Sequence, residues 1–306
     1  MAIINTWFVV INPTSGNGLG KRKWPKIEAL LKQHQFNFDH YFTKDENDCE
    51  KIIQFAVNQG FKNFISVGGD GTLHNVVNGI MSQNIIATNL INVGVIPVGT
   101  GNDWIKTHKI PNNIEKAINI IKKGQTSLQD VGEIKLVKSN KKPVYFINLA
   151  GIGFDGYVVS KVYKYKHLGA LAYLYGTLLG LFSFKNFLSK TTIGSEVIEA
   201  KTLMILVGLC QYSGGGMQLT KTPNTSDGLF DISIAKNIGK LDIIKNVLSL
   251  FNGSIVNHKK VSTYKNDMIN IEITDNHKPY IQADGELIGK GDIEVKIIPK
   301  AFSYYC

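Results

Sequence analysis

Residues 66–77 read SVGGDGTLHNVV: three glycines flank one carboxylate, Asp70, where an apolar run gives way to a helical pattern. Glycine loses more backbone freedom on folding than any other residue, so such a cluster marks a tight turn or a close approach by another group. FISV (64–67) before it reads as a buried strand, and TLHNVVNGIM (72–81) after it as a helix. The same unit recurs on both sides. WFVVINP (7–13) precedes KRKWPKIEALLKQH (21–34), which sets Trp24, Ile27, Leu30 and Leu31 on one helical face and asks Pro25 to lie near the first turn. FDHYFT (38–43) precedes DENDCEKIIQFAVNQG (45–60), and NVGVIPVG (92–99) precedes NIEKAINIIKKG (113–124). This alternation predicts a parallel sheet covered by helices on both faces.

Beyond residue 130 the rhythm changes. DVGEIKLV, PVYFINLAG, TLMILVGLC, LFDISIAK, MINIEIT, PYIQADG and IEVKIIP are strand-like, and only 156–190 and GKLDIIKNVLSLFNG (239–253) read as helical. The expectation is a second, mostly antiparallel β domain of sandwich type. The domains are expected to span 1–130 and 131–306. No flexible linker separates them, so they are expected to pack with a cleft between.

A chain of 306 residues suits two domains. The net charge of +10 fits a polyanionic partner, whether nucleic acid, nucleotide or anionic membrane surface, or serves solubility alone. No helix-turn-helix, zinc or RNP-like pattern supports nucleic acid. Cys49, Cys210 and Cys306 are scattered, which predicts a reducing cytoplasm and no disulfide framework. LGALAYLYGTLLGLF (168–182) is apolar nearly all round but shorter than the roughly 20 residues a membrane span needs. Lysines 161, 164, 166, 185 and 190 flank it. It reads as a buried helix, as an element lying on a lipid surface, with Tyr163, Tyr165, Tyr173 and Tyr175 suited to interfacial depth, or as a true span. The histidines form no cluster or triad pattern and are expected in local packing.

Two more glycine-rich stretches end strands of the first domain: NPTSGNGLGK (12–21) and PVGTGND (97–103). Ligands of open parallel sheets bind beyond the carboxyl ends of the strands. Three such loops together predict a concavity of backbone N–H groups that takes a polyphosphate, although none alone matches an established phosphate pattern. The glycines of 68–71 are expected to admit that ligand. Asp70 beside phosphate calls for Mg²⁺ bridging ATP oxygens, or else acts as a helix N-cap. Asp103, after Asn102, joins the same acidic cluster or caps the short helix from Trp104.

INPTSGNG, VGGDGTLHNVV, IPVGTGNDW, GFDG, SDGLFD and QADGE occur in this order, and the whole chain resembles the bacterial diacylglycerol kinase-like lipid kinases. That family is related to sphingosine and ceramide kinases and more distantly to NAD kinases. GGDGT alone is shared with NAD kinases, and phosphofructokinases have a related loop. The resemblance implies an NAD-kinase/phosphofructokinase-like first domain and an ATP-dependent kinase phosphorylating a primary hydroxyl of a diacylglycerol-like lipid. By the same resemblance Asn12, Pro13, Thr14, Ser15 and Gly16 touch ATP, as do Thr43, the loop Gly69, Asp70, Gly71, Thr72, Leu73, His74 and Asn75, and Thr100. Asp227 aligns with an aspartate holding a structural Mg²⁺, completed by backbone carbonyls near Asn224 and Leu229. Glu286 aligns with the general base, beside the reading of DGE as an ordinary hairpin turn. Work at the inner face of the membrane and a homodimer are implied as well.

The chain also departs from the family. His74 and Asn75 stand where many relatives have Asn–Glu, and Lys106 stands where some have arginine. Lysine keeps the charge and loses the bidentate fork. Any C-terminal extension packing back on the first domain is short or absent. NAD kinase and a nucleotide-binding regulator without turnover are the alternative functions.

Overall fold

A computed structural model describes residues 6–45, 48–99, 101–162 and 184–306. Thr100 and the apolar stretch 168–182, with its tyrosines, lie outside them. Among the described residues no helix is long and apolar enough to cross a membrane. The chain divides into two compact units, one of residues 1–129 with 300–306 and one of residues 130–299.

The first unit alternates as its sequence pattern demands. β1 (Thr6–Ile11), β2 (Asn37–Phe42), β3 (Asn63–Gly68) and β4 (Asn92–Pro97) are separated by α1 (Ser15–Gln33), α2 (Asp48–Asn58) and α3 (Asp70–Ser82). α4 (Asp103–Thr107) and α5 (Ile114–Lys123) follow. The strands lie parallel in the order β2–β1–β3–β4, so the chain leaves β1, β3 and β4 at one edge. Trp24, Ile27 and Leu31 of α1 and Ile118 and Ile121 of α5 pack with Val9, Ile11, Ile65, Val67 and Ile96 in a core closed to water. Regular helix in α1 begins only at Leu19, because Gly16, Asn17 and Gly18 are left-handed (φ 58°, 57° and 84°). Pro25 therefore lies beyond the first turn, where its ring removes a bond to the Lys21 carbonyl instead of sitting among the orphan N–H groups.

The second unit is built from antiparallel pairs. β5 (Thr126–Leu136) pairs with β6 (Val144–Phe146). β7 (Leu149–Gly153) lies between the second half of β9 (Glu196–Gly208) and β13 (Tyr280–Ala283), which turns back into β14 (Glu286–Lys290). β8 (Phe187–Ile193) pairs with the first half of β9 and with β12 (Met268–Ile273), while β10 (Phe230–Lys236) joins β9 to β11 (Val261–Asn266). Phe146 stacks on Phe230 at 5.7 Å inside a core of Ile205, Phe187, Ile269 and Ile281. Among the described residues of this unit the α-helices are α6 (Phe154–Val162), α7 (Lys240–Lys245) and α8 (Val247–Phe251). This is the expected parallel α/β unit followed by an antiparallel, sandwich-like one.

The last strand, β15 (Ile293–Tyr305), serves both units in turn. Ile293–Lys296 pairs antiparallel with β12, and Ser303 and Tyr304 pair parallel with Asn92 and Val93 of β4. The sequence reading runs the second domain straight to residue 306; alternation in AFSYY does not reveal which sheet it joins.

Candidate functional site

Asn12 directly follows β1 and ties three segments together. Its backbone N–H donates to Val67 O (3.1 Å), its Oδ1 accepts from Thr14 N (3.0 Å) and Thr14 Oγ1 (2.9 Å), and its Nδ2 donates to Thr72 Oγ1 (3.2 Å). Pro13 O accepts from Lys21 N and Ser15 N donates to Asn12 O, which folds the loop onto the start of regular helix. Thr43 joins the same edge through its N–H to Ile11 O (2.9 Å).

The three glycine loops close on one another. A Cβ at Gly16 would stand 2.4 Å from Val98 O, one at Gly99 would stand 2.5 Å from Gly69 Cα, and one at Gly68 would stand 2.1 Å from Thr72 Oγ1. The close approach that Gly68 and Gly69 permit is thus to Thr72 and to the loop after β4.

Asp70 is the first residue of α3, whose N-cap is Gly69, and it caps a different helix. Its Oδ2 accepts from Asp103 N (2.8 Å) and its Oδ1 from Trp104 N (3.2 Å), two of the orphan N–H groups that open α4. Asp103 is 3% exposed and accepts from Lys106 Nζ (2.7 Å), so the lysine in the arginine position forms a local ion pair. Asn102 is left-handed (φ 51°), buried, and donates to Gly99 O (2.9 Å) and Asn112 Oδ1 (3.2 Å). Thr72, Leu73 and His74 are buried, and His74 Nε2 meets Asn78 Nδ2 at 3.3 Å, whereas Asn75 is half-buried. His108 packs between Trp104 (4.2 Å) and Tyr304 (4.4 Å), and burial pulls its imidazole down to about 4.

In the second unit Asn224, Asp227 and Leu229 share one loop. Asn224 Oδ1 accepts from Ser226 N (3.0 Å), Asp227 Oδ1 from Leu229 N (3.1 Å), and Gly228 N donates to Asp130 Oδ2 (2.7 Å). Asp227 Oδ2 faces Lys265 Nζ at 3.3 Å. A divalent ion there would have to displace that ammonium, so the donor set does not fit Mg²⁺ as arranged. Among the described residues no group of three His, Cys, Asp or Glu side chains suits a metal ion.

Glu286 opens β14 directly after a two-residue Asp284–Gly285 turn, both left-handed (φ 50° and 86°), with Ala283 paired to Glu286. That is the hairpin geometry favouring Asp–Gly, so the turn reading of DGE holds and the turn carries Glu286. Asp284 anchors it: Oδ1 accepts from Asn148 N (2.9 Å) and Leu149 N (3.1 Å), and Oδ2 from Ile147 N (3.1 Å). Asp284, Gln282 and Asp155 sit within the quoted motifs QADGE and GFDG but drew no role from the sequence. A polar residue in a strand buried at every neighbouring position, as Gln282 is, was the available signal.

Known proteins bear on this arrangement. Residues 6–134 match the diacylglycerol kinase catalytic domain, and residues 148–306 match the YegS C-terminal NAD kinase beta sandwich-like domain. A diacylglycerol kinase of Staphylococcus carnosus (strain TM300) is 30% identical over 287 residues, covering 92% of this chain and 89% of that protein. One from Staphylococcus aureus (strain JH9) is 31% identical over 290 residues, covering 92% and 86%. The crystal structure of a diacylglycerol kinase from Bacillus anthracis str. Sterne superposes with a TM-score of 0.74 at 24% identity, covering 100% of this chain and 98% of that one, and so shares the fold. The chain belongs to the diacylglycerol kinase-like lipid kinase family.

Proposed function

We propose that this kinase uses ATP, taken as its magnesium complex, to phosphorylate a primary hydroxyl of a diacylglycerol-like lipid at a membrane surface. The observation that carries the reading is the convergence of three loops at the carboxyl edge of one parallel sheet, tied by Asn12 to Thr72 and by Asp70 to the start of α4. Backbone groups at such an edge suit a polyphosphate. In this reading Asn12–Gly16, Thr43, Gly69–Asn75, Thr100, Asn102 and Asp103 form or border the nucleotide site.

Glu286 is assigned as proton acceptor. The lipid hydroxyl oxygen attacks the γ-phosphorus in line, the bond to the β,γ-bridging oxygen breaks, ADP leaves, and the hydroxyl proton passes to the Glu286 carboxylate. Glu286 stands at the start of a strand, behind a turn whose backbone is held by four hydrogen bonds to Asp284 and Gln282. The charge of +10 supports attraction to an anionic leaflet, where the lipid must be met.

The test is transfer of label from radioactive ATP to mixed micelles carrying diacylglycerol, monoacylglycerol, phosphatidylglycerol, a sphingoid base or undecaprenol, with soluble NAD alongside. Labelled phosphatidic acid supports the reading. Label on NAD with none on any lipid overturns it.

A further inference from the structure

The carboxylate of Asp155, in the first turn of α6, lies over β7 and against β13. A Cβ at Gly151 would stand 2.1 Å from Asp155 Oδ2, so the strand has room for this carboxylate because residue 151 is glycine. Gln282 is the β13 partner of Gly151 and is 3% exposed. Its amide is fixed at both ends. Nε2 donates to Asp155 Oδ2 and, more distantly, to Leu149 O (3.5 Å), while Oε1 accepts from Gly285 N (2.8 Å). The partners allow only this orientation of the amide, since a carboxylate and a carbonyl accept and a backbone N–H donates.

We propose that Asp155 is a positioning residue for Glu286, acting through Gln282, whose amide sets the peptide leading from the turn into β14. The proposal rests on the reading of Glu286 as proton acceptor. Asp284 anchors the turn to the backbone of residues 147–149, but none of those bonds touches Gly285. Asp155 and Gln282 supply the second hold, on the peptide that immediately precedes Glu286. Without Asp155 the Gln282 amide keeps only the long contact to Leu149 O, and its grip on Gly285 loosens. Burial lifts the Asp155 carboxyl to about 6, so the fold accepts a desolvated acid at this point.

The experiment uses the full chain, labelled ATP and dioleoylglycerol micelles, with Asp155→Ala, Asp155→Asn, Glu286→Gln and the double variant Asp155→Ala/Glu286→Gln. Asp155→Ala should lower kcat by about ten- to a hundredfold, the factor carried by one charge-assisted hydrogen bond, with both KM values nearly unchanged. Asp155→Asn keeps an acceptor for Gln282 and should restore kcat to within about threefold. In the Glu286→Gln background, Asp155→Ala should add nothing. A raised lipid KM at unchanged kcat, failure of the Asn variant to rescue, or a further loss in the double variant would overturn the proposal. Wild-type kcat in Glu286→Gln would instead overturn the base assignment. Amide hydrogen exchange reads the linkage without any substrate: Gly285 and Glu286 should exchange faster in Asp155→Ala and at the native rate in Asp155→Asn. Unchanged exchange in Asp155→Ala would sink the linkage whatever the base proves to be.

Discussion

Asp70 begins one helix and caps another, accepting from Asp103 N and Trp104 N across 33 and 34 positions of chain. Its charge also faces the positive end of α4, a favourable placement. Asp70→Ala should therefore cost about 1–3 kcal/mol in urea unfolding, besides any effect on turnover, because two N–H groups lose a charged acceptor. An unchanged midpoint would show that the cap contributes nothing. The sequence named Asp70 and offered both a cap and a phosphate-side role. It could not say which helix is capped, since that depends on β3 and β4 being neighbours. Lys106, which keeps the charge of an arginine without its fork, is the close partner of Asp103.

At the scale of elements, the loops meet backbone to backbone. Gly99→Ala would drive a Cβ to within 2.5 Å of Gly69 Cα, and neither strand end can yield without disturbing Asn102 or Thr72. Gly18→Ala meets no atom within 4 Å and carries only the strain of φ 84°. Thermal melting should show Gly99→Ala losing about 2 kcal/mol or more and Gly18→Ala about 1 kcal/mol. Equal losses would contradict the packing of one loop on the other. Strand and helix order was legible because apolar periodicity is a local property. The left-handed run at Gly16–Gly18 and the contact of Gly69 with Gly99 were not, because each depends on partners distant in sequence. The Asp284–Gly285 turn was legible from two residues, but its anchors at Ile147–Leu149 lie more than a hundred positions away.

Over the whole molecule, the two units carry opposite pH signatures. His108, in the first, is held near 4, below its ordinary 6.5, so the stability of its neutral form is present above pH 6.5 and lost as pH falls toward 4. Asp155, in the second, is raised from 3.8 to about 6, so its contribution is present below pH 3.8 and lost as pH rises through 6. Each amounts to at most about 3 kcal/mol. His108→Phe should flatten the acid loss of stability between pH 6.5 and 4. Asp155→Asn should gain on the wild type as pH rises from 4 to 6.5, and parallel pH profiles would contradict both assignments. The two-part plan was legible in the change of rhythm near residue 130. The return of residues 300–306 to β4, with Ser303 Oγ on Asn92 Oδ1 (2.7 Å) and Tyr305 OH on Asn63 Oδ1 (2.8 Å), was not, because its partners lie more than two hundred positions earlier. Whether Glu286 is the proton acceptor of a lipid kinase is tested by comparing Glu286→Gln with the wild type for ATP affinity and for label transfer to diacylglycerol. Native ATP affinity with kcat lower by about a hundred- to ten-thousandfold is the expected result. Native kcat in the variant would contradict it.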